Sequence, residues 1–266
     1  MSLSGKPGVE PAGETRPGRL FLVPAPLDFG CDDQAPLQDV MPEATLLAAS
    51  RLQVWVCENA KSLRAYLKRV DLVHPLSSPI QSLMIQELPR AVHKKGDHLG
   101  AFDGSPLLAP ALSGQDIGLV SEAGMPAVAD PGSSVVRAAH DLGLVVVPLV
   151  GPVSLLLALA ASGLNGQNFA FVGYLPQDAA ARARRVRELE LLTLQTGQTQ
   201  LFIETPYRNA AVLQTLLQTL QPTTRLAVSS GLTLSNANSH SATVAKWRKL
   251  SRTPDNSTPA VFAIGR

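Results

Sequence analysis

The chain has 266 residues, of which 45% are hydrophobic and 17% are charged. This composition excludes an intrinsically disordered chain and supplies enough apolar side chains for one large or two small globular domains. The formal net charge of +2 and the pI near 8.6 permit a nucleic-acid partner without indicating one.

The segment 1–18 is rich in glycine and proline and lacks the apolar stretch of a signal peptide, so we expect a flexible tail there.

The cysteines and histidines show no metal-binding or redox spacing. Cys31 and Cys57 form no CxxC pair, and the five histidines form no HExxH motif. We therefore expect reduced thiols, a cytoplasmic location and no bound metal.

In the first half of the chain, apolar β-branched runs alternate with helical patterns. This alternation predicts a mainly parallel sheet of the α/β class. The predicted strands are 19–24, 54–57, 83–86, 117–121 and 144–147. The predicted helices are 43–50, 60–69 with Asn59 as its cap, 105–112 and 133–142.

The stretch 142–177 contains no charged residue, and its part 143–164 is nearly long enough to cross a bilayer. Pro148, Gly151 and Pro152 divide it into two pieces, which have the lengths of a buried strand and a buried helix. We therefore interpret the stretch as protein core and place a domain boundary near residue 150.

The pattern changes after Gly166. Strands are predicted at 169–172, 199–204, 225–229 and 260–264, and helices at 179–194, 207–220 and 241–250. Strands that pair with their neighbours predict an α+β domain with a mixed sheet. The expected organisation is a tail at 1–18, an α/β domain at 19–150 and an α+β domain at 151–266.

Two loops rich in glycine and proline follow predicted strands. The first, SEAGMP at 121–126, leaves the carboxyl end of a parallel strand, where open α/β sheets bind ligands, and Gly124 would let a ligand approach the backbone. The second, VPLVGPVS at 147–154, would face the same crevice. Asp130-Pro131-Gly132 equally suits a helix start with Asp130 as the N-cap. No GxGxxG, P-loop or GxSxG motif occurs.

Three segments carry a family resemblance: SEAGMPAVADPG at 121–132, VVVPLVGPVSLLLALAASGL at 145–164 and FVGYLP at 171–176. They resemble the tetrapyrrole-methylase superfamily of S-adenosylmethionine-dependent methyltransferases, and most closely its ribosomal small-subunit methyltransferase I branch, which methylates a cytidine 2′-hydroxyl of 16S rRNA. Weaker similarity continues in 201–208 and 259–264. The resemblance implies two domains with S-adenosylmethionine in the cleft between them, and a homodimer.

The resemblance also implies the positions that surround the cofactor. One wall of the site would be formed by Ser121, Glu122, Ala123, Gly124, Met125 and Pro126. The facing loop would supply Val150, Gly151, Pro152 and Ser154, and the loop after the first strand would supply Pro24, Ala25 and Pro26. From the second domain, Glu204 and Thr205 match a family position near the cleft.

Several segments depart from the pattern of this branch. PAPLDFG at 24–30 stands where the branch has ATPIGNL, ENAK at 58–61 where it has EDTR, and SGLT at 230–233 where it has RELT. No His-Asn-Glu stretch occurs within 77–114. Cofactor elements are kept while substrate elements differ. Three functions therefore stay open: methylation of RNA, methylation of a tetrapyrrole or other small molecule, and cofactor or RNA binding without catalysis.

A ribose hydroxyl must lose a proton when it is methylated, so a base is required. Glu58 and Glu122 are the candidates, although Glu58 equally suits a surface pair with Lys61; for Asp130 the capping role is preferred. RNA phosphates could be bound by four basic side chains on one helix, Arg182, Arg184, Arg185 and Arg187. The alternative for these arginines is a solvated helix face paired with Glu188 and Glu190.

Overall fold

The computed structural model describes residues 16–28, 30–31, 33–98, 100, 102–250 and 256–266. Segment 1–15, which holds most of the predicted tail, lies outside the described residues. Gly18 is buried, and its N–H donates to the carbonyl of Ala111 at 2.8 Å. The chain is therefore held against the first sheet one residue before the first predicted strand.

The first half of the chain forms a five-stranded parallel sheet. Its strands are Leu20–Leu22 (β1), Val54–Cys57 (β2), Met84–Glu87 (β3), Ile117–Val120 (β4) and Val146–Pro148 (β5). Its helices are Leu37–Val40 (α1), Glu43–Arg51 (α2), Ala60–Asp71 (α3), Arg90–Lys95 (α4), Ala109–Leu112 (α5) and Ser133–Asp141 (α6). The strand order β3-β2-β4-β1-β5 confirms the predicted parallel α/β class.

Both faces of this sheet are covered, because its strands are apolar on both sides. Trp55 and Cys57 point into one core with α2 and α3, whereas Val54 and Val56 point into the other core with α6. Asn59 caps α3 as predicted, and its side chain accepts hydrogen bonds from the backbone N–H groups of Lys61 and Ser62.

The second half of the chain forms a mixed sheet with the order β6-β7-β10-β8-β9. Its strands are Phe169–Tyr174 (β6), Thr199–Glu204 (β7), Arg225–Ser230 (β8), Asn238–Thr243 (β9) and Ala260–Gly265 (β10). Its helices are Ser154–Ser162 (α7), Ala179–Thr196 (α8), Asn209–Thr219 (α9) and Val244–Trp247 (α10). Only the β6–β7 pair is parallel, and the other pairs are antiparallel, which confirms the predicted mixed sheet.

The charge-free stretch 142–177 is divided among β5, α7 and β6. Leu155 and Leu159 of α7 are buried against Val261 and Ala263 of β10, on the sheet face opposite α8 and α9. Within the described part of the chain, no helix combines the length and hydropathy that a membrane crossing requires. The domain boundary near residue 150 falls in the loop between β5 and α7 and stays a prediction.

Two predicted helices are wrong in part. The one at 105–112 is a 3-10 turn, Ser105–Leu108, followed by the short α5, and each piece has a proline in its first turn. The one at 241–250 begins as strand β9, and only Val244–Trp247 is helical. The polar strand β9 lacks an apolar alternation because it is an edge strand held by backbone pairing with β8.

Candidate functional site

The loops after β1 and β4 meet at the carboxyl edge of the first sheet, because β1 and β4 are neighbouring strands. Ala25 and Gly124 exchange two backbone hydrogen bonds, each of 2.9 Å. This edge of an open parallel sheet is where α/β proteins bind ligands. The structure therefore brings together the predicted loop after the first strand, 24–26, and the predicted loop 121–126.

The glycines in these loops allow close packing of protein segments. A Cβ on Gly151 would lie 2.3 Å from Cγ of Pro24, and a Cβ on Gly124 would lie 3.3 Å from Cδ2 of Leu27. Gly124 also has a φ of +70°, which a branched side chain adopts only with strain. Packing and backbone conformation are thus sufficient to explain why a glycine stands at position 124. A Gly124→Val variant would not report specifically on ligand binding.

A cavity of about 270 Å³ lies between the two sheets, beside these loops. Four of the predicted cofactor residues line it: Ala123, Ser154, Glu204 and Thr205. The remaining wall comes from Leu27, Tyr174, Ile203, Pro206, Ser229, Gly231, Leu232, Leu234, Pro259, Ala260 and Val261. Its lining is mostly apolar and is drawn from both halves of the chain, as expected for a small-molecule site.

A second cavity of about 690 Å³ adjoins the first, because Leu234 lines both. The predicted residues Val150, Gly151 and Pro152 form part of its wall. The opposite wall is formed by residues of the segment 33–42. Arg69 holds the start of this segment: its guanidinium donates to both carboxylate oxygens of Asp28, at 3.0 and 2.9 Å, and to the Ala35 carbonyl at 2.7 Å.

The other predicted cofactor residues are not among those that line these two cavities. Those that are buried are Pro24, Ala25, Pro26, Ser121, Gly124 and Pro126. Met125 and Glu122 are half-buried. The Oγ of Ser121 has no hydrogen-bond partner among the described residues, although the side chain is buried. It is therefore a polar group that a ligand or a water molecule could satisfy.

Three carboxyl groups meet beside this edge of the sheet: Glu58 after β2, Glu122 after β4, and Asp130. The Glu122 N–H donates to Oε1 of Glu58 at 3.3 Å, and the Ser62 hydroxyl lies 3.3 Å from Oε1 of Glu122. Burial, followed by the charges of Glu58 and Glu122, raises the pKa of Asp130 to about 7. Two of these groups, Glu58 and Glu122, are the predicted catalytic candidates.

The predicted capping role of Asp130 is wrong. The residue before α6 is Gly132, and Asp97 caps this helix by accepting from the N–H groups of Gly132 at 3.0 Å and Ser134 at 2.9 Å. The hydroxyl of Ser133 adds a bond of 2.7 Å to Asp97. Asp97 lies 35 residues before Gly132, so local sequence could not identify it.

Tyr174 faces the carboxyl groups from the second half of the chain. Partial burial, followed by the nearby carboxylates of Asp130, Glu204 and Glu58, raises the pKa of its phenol. Glu204 is 5% exposed, and its Oε2 lies 3.1 Å from Nη2 of Arg208, although without hydrogen-bond geometry. The acidic groups around Tyr174 therefore include Glu204, whose charge is offset by Arg208.

The four arginines of α8 have different environments. Arg182 is buried, and its guanidinium donates to the Thr215 hydroxyl at 3.0 Å and the Gln177 carbonyl at 2.9 Å. Its predicted RNA-binding role does not fit this internal position. Arg185 pairs with Glu188 at 3.1 Å, while Arg184 and Arg187 are exposed.

Two further depressions are lined by residues other than those predicted for the site. A depression of about 1040 Å³ is lined by α9, Arg248 and Leu250, and one of about 430 Å³ lies near Arg19. The described histidines, cysteines and acids form no group that could hold a metal ion.

Sequence reasoning missed several residues that line the cavity. Tyr174 lies in FVGYLP, and Gly231 and Leu232 lie in SGLT; both segments entered the family comparison without a site assignment. Leu27 and residues 259–261 belong to segments that were also compared. Their contribution depends on how the two halves of the chain face each other, so pattern alone did not assign it.

No family model matches the chain. The chain is 40% identical over 124 residues to ribosomal RNA small subunit methyltransferase I of Vibrio cholerae, covering 47% of this chain and 42% of that protein. It is 30% identical over 212 residues to the protein of the same name in Xylella fastidiosa, covering 80% of this chain and 67% of that protein. The matches span less than two thirds of the length of several curated relatives.

Among solved structures, the methyltransferase CobJ matches with a TM-score of 0.53 at 18% identity, covering 94% of each chain. At this identity the likeness shows the fold alone, and it supports the predicted two-domain tetrapyrrole-methylase-like architecture. The match to the Xylella protein extends over most of the chain and two thirds of that relative. The chain therefore belongs to the ribosomal RNA small subunit methyltransferase I family.

Proposed function

We propose that this protein is an S-adenosylmethionine-dependent methyltransferase that acts on RNA, with the cofactor held in the cavity between the two sheets. The observation that carries the proposal is the position of this cavity. Ala123 and Ser154 line it next to the first sheet and the linking helix, while Glu204 and Thr205 line it from the second sheet. The relatives named as ribosomal RNA methyltransferases support RNA as the acceptor.

The residues present fit this cofactor. Leu27, Ile203 and Leu232 offer an apolar surface for an adenine ring, and the acidic side chain of Glu204 suits a positively charged ligand. The Oγ1 of Thr233, which has no hydrogen-bond partner among the described residues, adds a polar group to the wall of the second cavity. When bound, S-adenosylmethionine supplies a methyl group activated by a positively charged sulfur. The protein's own task is to orient the acceptor and exclude water.

The charges of the cavity wall distinguish between the candidate acceptors. Glu204 lines the cavity and is paired with Arg208, and the carboxylates of Asp130 and Glu58 act on the lining residue Tyr174, so the wall offers little unpaired positive charge to a macrocycle that carries several carboxylates. An RNA can present a neutral ribose to this region while its phosphates contact basic side chains elsewhere. This arrangement favours RNA over an anionic tetrapyrrole.

Arg184 and Arg187 are the side chains that we propose for phosphate contacts. They are three residues apart on α8 and therefore lie on one face of the helix. Both are exposed, and they lie in the first half of α8, which follows the cavity residue Tyr174.

We also propose that the protein acts in the cytoplasm as a homodimer, with a mass in solution of twice the 28.1 kDa of one chain.

The experiment is transfer of labelled methyl from S-adenosylmethionine to 30S subunits, purified 16S rRNA and a small-molecule extract, compared side by side. We expect label in the RNA fractions. Label found only in the small-molecule extract would overturn RNA as the acceptor. No label in any fraction, with the cofactor bound in calorimetry, would instead favour a non-catalytic binding protein.

The matched variant is Arg184→Gln combined with Arg187→Gln. We expect weaker RNA binding and a salt dependence that is flatter by up to about two units of slope, since each lost phosphate contact removes somewhat less than one. The control is Arg16→Gln with Arg51→Gln, which removes the same charge from exposed positions before β1 and β2. Equal weakening by both double variants would contradict a role for the α8 face.

A further inference from the structure

Helix α9 exposes a face that carries no charge. The exposed positions Ala211, Gln214 and Gln218 follow the exposed Tyr207 at helical spacing, so the four side chains form one stripe along the helix. The solvent face of a surface helix normally carries charged residues. The sequence of α9, NAAVLQTLLQT, contains none. This stripe therefore differs from an ordinary solvated helix face.

The stripe borders a groove of about 1040 Å³. This α9 groove is lined by Tyr207, by side chains of α9 from Ala210 to Gln218, and by Arg248, Leu250 and Asn256. Among these lining residues none is acidic. The Asn256 carboxamide oxygen accepts from the Ala210 N–H at 3.2 Å, which fixes one wall of the groove to the start of α9.

One end of the α9 groove is positively charged. The Arg248 guanidinium donates to the Leu217 carbonyl at 2.8 Å and to the Leu220 carbonyl at 2.9 Å, so it is held at the end of α9. Both partners are uncharged groups, and no acid pairs with Arg248 among the described residues. Lys246 and Lys249, on either side of Arg248 in the chain, are exposed. This end therefore suits an anionic group.

The other end of the α9 groove lies beside the cavity between the two sheets. Tyr207 is 69% exposed and stands in the 3-10 turn Pro206–Arg208, directly after β7. Thr205 and Pro206, the two residues before it, line the cavity. The groove and the proposed cofactor site thus meet at consecutive residues. A strand of RNA lying along α9 would lead from the positive end to the cavity.

We propose that the α9 groove binds an unpaired segment of the RNA next to the methylated nucleotide, with a base stacked on the Tyr207 ring and phosphate near Arg248; this inference rests on the proposed function. Single-stranded RNA is bound by aromatic rings that stack on bases and by cationic groups along the backbone. The amides of Gln214 and Gln218 offer donors and acceptors to base edges. The 11 residues of α9 span about 16 Å, which accommodates a short single strand.

The same features distinguish an unpaired strand from a duplex and from a protein. In a duplex the faces of the bases are covered by their neighbours, so Tyr207 would have no base to stack on. An apolar protein helix needs a hydrophobic groove, whereas the exposed stripe of α9 contains two glutamines. The cationic side chains at one end, without an acid in the lining, match a polyanion.

The first test is fluorescence anisotropy with a labelled oligouridylate of about 12 nucleotides, within the site sizes of single-strand binding proteins. Tyr207→Ala should weaken binding by about 5- to 150-fold, because stacking on an aromatic ring contributes this much for each base. Tyr207→Phe keeps the ring and should stay within about twofold of the wild-type affinity. A duplex of the same length should bind equally to wild-type protein and to Tyr207→Ala.

The salt dependence separates stacking from phosphate binding. Arg248→Gln should flatten the slope by about 0.7, the value of one lost phosphate contact on a single strand, whereas Tyr207→Ala should leave the slope unchanged. Arg248→Lys keeps the charge and should keep the slope. The matched control is Phe169→Ala, which removes an exposed aromatic ring at the start of β6, outside the groove. Thermal unfolding shows whether each variant is folded.

The second test uses only the wild-type protein. An oligouridylate that contains 4-thiouridine is crosslinked by ultraviolet light, and the modified peptides are identified by mass spectrometry. We expect a crosslink at Tyr207 or at a neighbouring residue of the α9 groove. Crosslinks confined to other segments would overturn the inference.

Three binding results would also overturn it. They are an unchanged affinity in Tyr207→Ala, equal losses in Tyr207→Ala and Tyr207→Phe, and equal losses in Tyr207→Ala and Phe169→Ala. Binding of RNA-free ribosomal proteins that is lost in Tyr207→Ala, with the affinity for RNA unchanged, would assign the groove to a protein partner instead.

Methyl transfer to 30S subunits by the wild-type protein distinguishes this inference from the proposed function. If methyl is transferred and Tyr207→Ala binds single-stranded RNA as tightly as wild type, the groove is refuted while the proposed function stands. If no RNA is methylated and the oligouridylate still binds through Tyr207, the proposed function fails while the α9 groove stands as an RNA-binding surface.

Discussion

The carboxyl group of Asp130 interacts electrostatically with the carboxylates of Glu58 and Glu122. Burial is the largest cause of its raised pKa, and the two glutamates add to it. In the unfolded chain the same group would have a pKa of about 3.9. Between these two values the folded protein binds more protons than the unfolded protein. The contribution of Asp130 to stability therefore becomes less favourable as the pH rises from about 4 to about 7.

Asp130→Asn should remove this loss of stability, because the amide cannot ionise. We expect the variant to be more stable than the wild-type protein. The gain in the free energy of unfolding should be larger at pH 8 than at pH 5, by roughly 2–3 kcal/mol. Urea unfolding at the two pH values measures this difference. Asp141→Asn, at an exposed position of α6, is the matched control. A gain for Asp130→Asn that is equal at both pH values would contradict the assigned environment.

Helix α6 depends on a residue from a distant part of the chain. Asp97 accepts hydrogen bonds from the backbone N–H groups of Gly132 and Ser134 and from the hydroxyls of Ser133 and Ser134. Burial opposes ionisation of this carboxyl group, but the hydrogen bonds from Ser134, Ser133 and Gly132 outweigh it and lower its pKa. Its stabilising effect is therefore present above about pH 4 and is lost as the pH falls through the lowered pKa.

Asp97→Ala should lower the free energy of unfolding by about 2–3 kcal/mol at pH 7, because several donors at the start of α6 lose a charged acceptor. The effect should shrink as the pH falls below about 4 and through the lowered pKa of the wild-type carboxyl group. Asp103→Ala is the control, since Asp103 is exposed and its hydrogen bonds come from one neighbouring residue, Ser105. Equal losses in the two variants would argue against Asp97 as the anchor of α6.

The two halves of the chain meet at a contact between segments that are 202 residues apart. The hydroxyl of Ser235, in the loop between β8 and β9, donates to Oδ2 of Asp33, in the segment after β1. Hydrogen bonds from the side chain and backbone of Ser235 lower the pKa of Asp33. Both residues line the second cavity, so this contact holds the two halves together beside the proposed cofactor site.

Ser235→Ala should speed dissociation of S-adenosylhomocysteine by roughly two- to fivefold, the range of an exposed charged contact. Asp33→Asn should have a similar effect, and the double variant should add little to either single one, because both changes break the same contact. Stopped-flow displacement measures the rates. Fully additive effects of the two changes would show that Asp33 and Ser235 act independently.

The local sequence determined most of the helices and strands and predicted which loops would lie at one edge of the first sheet. Strands β2 and β7 have the predicted bounds, and Asn59 caps α3 as expected. These features follow from short-range causes: β-branched runs, a side chain that reaches its own helix start, and loops that leave parallel strands at one edge. The loops at 121–126 and 147–154 were predicted to face one crevice, and both contribute residues to the adjoining cavities.

Tertiary structure decided which polar side chains are available for function. Arg182 is an arginine on a polar-looking helix, yet packing of α8 against α9 brings it to Thr215 and buries it. Asp130 stands where a cap is expected, yet Asp97 reaches that helix from 35 residues earlier in the chain. The burial and the hydrogen-bond partners of a side chain depend on contacts between distant segments. Local residue patterns do not encode those contacts. For this reason the sequence predicted which loops share one edge of the sheet, while only the fold distinguished Asp97, which caps α6, from Asp130, which does not.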